Sequence, residues 1–218
     1  MARLEHPTSG RGRRGRRFET RSLRKRFLIV CEGEVTEVRY FEAFPVPKDV
    51  RVTVKGEGKS TTSLVAAARH HADEGTYDEV WVVYDHDDFG AERFNAAAAE
   101  IDAENGRRSE RWSAAWSNQA FEVWYLLHFE YFDGRLHRHL VQEKVGELLK
   151  RHGLRRGYRK NDPDLYSALH SRQPSALRNA ESLARTHAIA PYGEAAPAAA
   201  NPCTTVYRLV EALNAEIG

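Results

Sequence analysis

Cysteine is almost absent from this 218-residue chain, which has two, and methionine occurs once. Two isolated thiols, Cys31 and Cys203, indicate neither a disulfide framework nor a zinc cluster, and they suit a reducing cytoplasm. Long apolar runs are missing as well. None exceeds five residues, about a quarter of the roughly 20 needed to cross a bilayer. The Arg-rich beginning is followed by only one such run, so we expect neither a membrane span nor a signal peptide. No internal repeat is present. Gly56-Glu57-Gly58-Lys59-Ser60-Thr61 lacks the spacing of a P-loop, which argues against nucleotide hydrolysis.

What is present is charge, unevenly placed. Residues 1 to 26 hold ten Lys or Arg against two acids, a segment of +8, and the rest of the chain sums to -6. Residues 1 to 25 are therefore expected to be a disordered basic arm. Its Arg13, Arg14, Arg16 and Arg17 suit a polyanion, because clustered arginine neutralises phosphates and releases counterions. The competing reading is a solubilising tail.

The folded part begins near Arg26. Phe27 to Cys31 is an unbroken apolar run, the pattern of a strand covered on both faces. Thr36 to Phe44 reads as a helix, Val50, Val52 and Val54 as a strand, and Thr62 to Glu74 as a helix. Val80 to Tyr84 is another buried strand, Phe94 to Glu104 a helix, and Trp112, Ala114 and Trp116 alternate as a fourth strand. This alternation predicts an α/β core over residues 26 to 118, a parallel sheet with helices on both faces. Residues 119 to 218 then read as a mainly helical extension packed on the core. Its helices are expected over Gln119 to Phe129, Leu140 to His152, Asp164 to His170, Ser175 to His187 and Thr204 to Ile217, with a Pro/Ala/Gly loop before the last.

Ligands of open parallel sheets bind at the carboxyl ends of the strands, and acids crowd those ends here. Glu32, Glu34 and Glu37 follow the first strand; Asp85, Asp87 and Asp88 follow the third. Two such groups side by side repel unless a divalent cation lies between them. All-oxygen ligands favour Mg²⁺ or Mn²⁺. Glu32, Asp85 and Asp87 are the leading ligands, since acids at i and i+2 beyond an apolar strand make a poor helix cap. Glu34, Glu37 and Asp88 fit equally well as caps or first-turn residues. Gly33 lets the backbone turn sharply beside the site.

Four segments together resemble the RloB-like family: Phe27 to Phe41, with Cys31-Glu32-Gly33-Glu34 at its centre; Asp85-His86-Asp87-Asp88-Phe89; Ser117 to Glu130; and Asn201-Pro202-Cys203-Thr204-Thr205-Val206. The first and second also resemble the Toprim domain of topoisomerases, primases and OLD-type nucleases. The resemblance implies a Toprim-like, Mg²⁺- or Mn²⁺-dependent nuclease of bacterial anti-phage or restriction loci, often beside an AAA-type ATPase. By position, Glu32 takes the part of the Toprim glutamate, a general base or metal ligand. Asp85 and Asp87 take the metal-binding pair and Glu122 an additional metal-binding acid; Asp88, next to the pair, is a further candidate ligand read from its place after the strand. Family members usually carry Asn-Pro where this chain has Asn118-Gln119. Asn118 is a secondary candidate on the same footing.

The helix carrying Trp124, Tyr125, Leu127, His128 and Phe129 is expected to be core, because aromatic helices bury area against a sheet. His128 is a secondary candidate for approaching substrate. Arg155, Arg156, Arg159 and Lys160 flank Gly157-Tyr158 in a basic loop suited to a nucleic-acid backbone, with Tyr158 available for stacking. A solvated helix terminus explains the same charges equally well. Three functions are open at this point: a cytoplasmic, metal-dependent nucleic-acid phosphodiesterase; a noncatalytic nucleic-acid-binding or sensor subunit working with an ATPase; and, more weakly, phosphotransfer in the manner of a receiver domain, whose paired acids follow the first strand rather than the third.

Overall fold

A computed structural model describes residues 23–58, 61–86 and 90–217, without the side chains of residues 61 and 62. The basic arm, including Arg13, Arg14, Arg16 and Arg17, and the acids Asp87 and Asp88 lie outside the described residues. The expected alternation is present. β1 (Lys25–Cys31), α1 (Thr36–Glu42), β2 (Val50–Gly56), α2 (Thr61–Asp73), β3 (Glu79–Asp85), α3 (Ala91–Glu104) and β4 (Arg111–Asn118) follow in order. α4 (Glu122–Leu127), α5 (Arg138–Arg151), α6 (Leu165–His170), α7 (Gln173–Thr186), β5 (Cys203–Thr204) and α8 (Val206–Asn214) complete the fold.

The sheet order is β2-β1-β3-β4-β5, parallel except for β5. The chain leaves β1 toward one edge and returns across it to β3, so right-handed crossovers place α1 on one face and α2 and α3 on the other. Phe27 to Cys31 are all fully buried, as a strand covered on both sides requires. The strand order reverses between β1 and β3, and that gap at the carboxyl ends is the natural crevice of the fold.

β5 departs from expectation, since the sequence pattern places Thr204 at the start of the last helix. Thr204 and Thr205 instead close the edge of β4. Trp116 N donates to Thr205 Oγ1 at 2.9 Å, Thr205 N donates to Trp116 O at 2.8 Å, and the Ser117 and Thr204 hydroxyls lie 3.0 Å apart. Hydroxyls here satisfy backbone groups that a longer strand would otherwise pair. The sequence extension thus contributes a strand to the sheet, and one hydrophobic core runs through residues of both halves.

The aromatic helix is core, as expected. Trp124, Tyr125 and Leu127 are buried. Tyr40 of α1 meets Phe41 and Phe121 edge-on at centroid distances of 5.3 and 5.8 Å, the favoured geometry for aromatic pairs. This cluster fixes α1 against α4, and so fixes Glu37 and Glu122, the acids in the first turns of those helices. Both cysteines are buried and unbridged. No helix among the described residues is long and apolar enough to cross a membrane.

Candidate metal and phosphate site

The crevice between β1 and β3 is a cavity of about 510 Å³, lined by Glu32, Glu34, Glu37, Asp85 and Glu122 together with Arg138, Gln142 and Lys160. Five of the acids singled out in the sequence thus share one cavity. Each is placed by backbone geometry. Glu32 follows the last residue of β1; its N–H donates to Val83 O of β3 at 2.9 Å, and its Oε2 accepts from Asp85 N at 3.0 Å. Gly33 permits the next contact, since a Cβ there would stand 2.4 Å from Glu37 Oε2. Glu37, in the first turn of α1, is buried against this turn. Gly58 takes φ of +58° beside Glu34, a backbone state that glycine adopts at little cost.

Asp85 ends β3. Its Oδ2 accepts from Phe121 N at 3.1 Å, while Oδ1 is shielded from solvent with no hydrogen-bond partner. Removal from water, and then the nearby charges of Glu37 and Glu122, hold its carboxyl well above the usual carboxylate range. Burial is also the main reason that Glu37 is pushed up to about 7; Glu122 and Glu32 add to the rise, while its own backbone N–H and Lys160 oppose it. Burial, with mutual charge adding to it, thus disfavours the ionised form of both acids.

Glu122 opens α4 and is buried. Its Oε1 accepts from Gln142 Nε2 of α5 at 2.9 Å and from the Tyr158 hydroxyl at 2.7 Å. Tyr158 is therefore turned into the protein and packs on Tyr125, 6.2 Å between centroids, rather than standing out as a stacking surface. Burial and the adjacent Glu122 raise its hydroxyl well above the usual tyrosine range, so it remains a donor.

Of the remaining candidates, only Lys160 also lines the cavity. Asn118 ends β4 and is buried, with Nδ2 donating to the carbonyls of Pro197 and Ala198, away from the acid cavity. His128 is buried, its Nδ1 2.8 Å from Trp124 O, and burial lowers it to about 4. It is a neutral core residue. In the basic loop, Arg155 is bound to Asp162 at 2.7 Å, whereas Arg156, Arg159 and Lys160 are exposed. Sequence reasoning passed over Arg138 and Gln142. Their i, i+4 spacing puts both on one face of α5, but nothing in the sequence says that this face meets the strand ends.

An all-oxygen set containing a buried, unpartnered carboxylate oxygen fits the chemistry of Mg²⁺ or Mn²⁺. Among the described residues, however, no three His, Cys, Asp or Glu side chains already stand as a metal centre. No curated protein and no solved structure matches the chain. The family model described as RloB-like protein matches residues 27–213, taking in all five cavity acids and both walls of the crevice. The chain belongs to the RloB-like family.

Proposed function

We propose that the protein is a Mg²⁺- or Mn²⁺-dependent phosphodiesterase acting on nucleic acid. The observation that carries this reading is the convergence of Glu32, Glu34, Glu37, Asp85 and Glu122 on one cavity at the switch point of the sheet, with Arg138 and Lys160 in its walls. Asp85 and Glu122 are the acids best placed to hold a cation, joined by Glu32 and Glu37 from the β1 side. Asp87, two residues past Asp85, is the further acid that the sequence motif supplies. A bound divalent cation contributes positive charge to the scissile phosphate and lowers the pKa of the attacking water. Lys160 and Arg138 orient the phosphate from the cavity walls. Arg156 and Arg159, exposed in the same loop as Lys160, hold the flanking backbone, together with the basic arm. The family resemblance supplies the setting of this proposal, a cytoplasmic anti-phage or restriction system with an ATPase partner.

The test is cleavage of DNA and RNA oligonucleotides in Mn²⁺. Activity that Asp85→Asn and Asp87→Asn each abolish supports the reading, and activity that survives either change refutes it. Because a partner ATPase can gate turnover, calorimetric titration of Mn²⁺ is run beside the assay. The absence of a preformed metal centre among the described residues favours one rival, a noncatalytic nucleic-acid-binding or sensor subunit. That rival requires salt-sensitive binding with no Mn²⁺ heat at any concentration.

A further inference from the structure

The loop after α5 is docked far more firmly than a solvated basic segment needs to be. The Thr36 hydroxyl donates to Lys160 O at 3.3 Å, and Arg39 donates to Asn161 O. Within the loop, Arg155 pairs with Asp162 and fixes its shape. Gly146 of α5 leaves room for it, since a Cβ there would lie 3.2 Å from Tyr158 N. All these ties converge on one outcome, the Tyr158 hydroxyl held 2.7 Å from Glu122 Oε1. Gln142 reaches the same oxygen from α5 at 2.9 Å. Two donors on Oε1 fix the carboxylate plane, and no described residue donates to Oε2.

We infer that Tyr158 is a positioning residue which, together with Gln142, orients Glu122 so that its second oxygen faces a divalent cation in the cavity. This rests on the metal-dependent reading above. The helical half of the chain then does more than cover the sheet, because α5 and the loop that follows it determine which oxygen of a buried acid is presented. Partners that orient a ligating carboxylate are worth about 10- to 100-fold in metal affinity. Both donors here are neutral, so each steers Glu122 without cancelling the charge a cation needs.

The test is calorimetric titration of Mn²⁺ into the full-length wild type, Tyr158→Phe, Gln142→Met and, as a control, Tyr166→Phe. Tyr158→Phe keeps the ring on Tyr125 and removes only the donor. Tyr166 lies outside the lining of the cavity, so loss of its hydroxyl leaves the site untouched. The expected result is a loss of Mn²⁺ affinity of about tenfold or more in Tyr158→Phe and in Gln142→Met, with Tyr166→Phe at the wild-type value. A merely structural role moves the unfolding midpoint and leaves the affinity of the folded protein alone; that result overturns the inference while the metal site stands. Wild-type protein that binds no Mn²⁺ overturns both. If Tyr158→Phe does not fold, Gln142→Met, which leaves the loop intact, decides by the same criterion.

Discussion

His128 allows a quantitative test of whether a histidine in a motif-rich helix belongs to the core or to the chemistry. Burial lowers its pKa from 6.5 to about 4; the bond to Trp124 O opposes that fall, and Arg172 reinforces it. In the unfolded chain the imidazole takes a proton near pH 6.5, whereas in the folded protein it resists until near pH 4. Stability from this residue is therefore fully present above pH 6.5 and is lost as pH falls toward 4. Between pH 6.5 and 5 the loss is about 1.5 units at 1.36 kcal/mol each, or about 2 kcal/mol, and it approaches about 3.4 kcal/mol below pH 4. Glu37, pushed up to about 7, acts in the opposite direction over the same range. Wild-type stability alone therefore does not isolate the histidine. The comparison with His128→Gln does, because Gln does not titrate, can still donate to Trp124 O, and leaves Glu37 in place. We expect urea unfolding in EDTA to show the wild type losing about 2 kcal/mol more than the variant between pH 7.5 and pH 5. Superimposable pH profiles would refute the buried, neutral histidine and return His128 to the list of groups open to substrate.

Three further outcomes follow from particular contacts. Gly33→Ala should weaken Mn²⁺ binding in calorimetry while leaving unfolding free energy within about 1 kcal/mol of wild type, since the added methyl displaces only the end of the Glu37 side chain. Thr205→Val should cost about 1–3 kcal/mol in urea unfolding, because Trp116 N would be buried without its acceptor; a change below 0.5 kcal/mol, roughly the size of a neutral surface substitution, would show that the edge of β4 finds another partner. In the basic loop, Lys160→Ala should lower the salt slope of oligonucleotide binding by about one, whereas Arg155→Ala, whose charge is already paired with Asp162, should leave that slope unchanged. Equal slopes for the two variants would remove the distinction between a paired and an available cation.

What the sequence made legible is what short-range pattern controls. Phe27 to Cys31 and Val80 to Tyr84 are apolar because both faces of each strand are covered, so the parallel sheet was readable from five-residue windows. The acids following those strands inherit their position from the sheet, and for that reason Glu32, Glu37 and Asp85 are legible in the sequence. β5 was not readable. Thr204 and Thr205 are two residues at the head of a strongly amphipathic helix, and their partners Trp116 and Ser117 lie almost 90 positions earlier. No local window contains that pairing. Tyr158 failed for a related reason: an aromatic flanked by arginines has the composition of a stacking surface, but its direction is decided by Gly146 and by Glu122, on two other elements.

The crevice joins two kinds of control over charge. On the β1–β3 side, backbone geometry forces carboxylates together: Gly33 admits Glu37, and Asp85 is pinned by Phe121 N with one oxygen left unpartnered. Burial first, and then the charge of neighbouring carboxylates, raises the protonation tendency of Asp85 and Glu37. On the helical side, Tyr158 and Gln142 supply neutral donors, and Lys160 and Arg138 supply the positive charge. Neutral donors orient Glu122 without competing for its charge, while Lys160 and Arg138 act on Glu37 and Asp85, respectively, and oppose the rise that burial causes. A cavity built only to cap helices has no need of this division, because a cap is satisfied by any donor at the first turn. On the function proposed above, neutral orienting groups and charge-bearing groups that meet where the sheet joins the helical half suit a site for a metal and an anionic substrate.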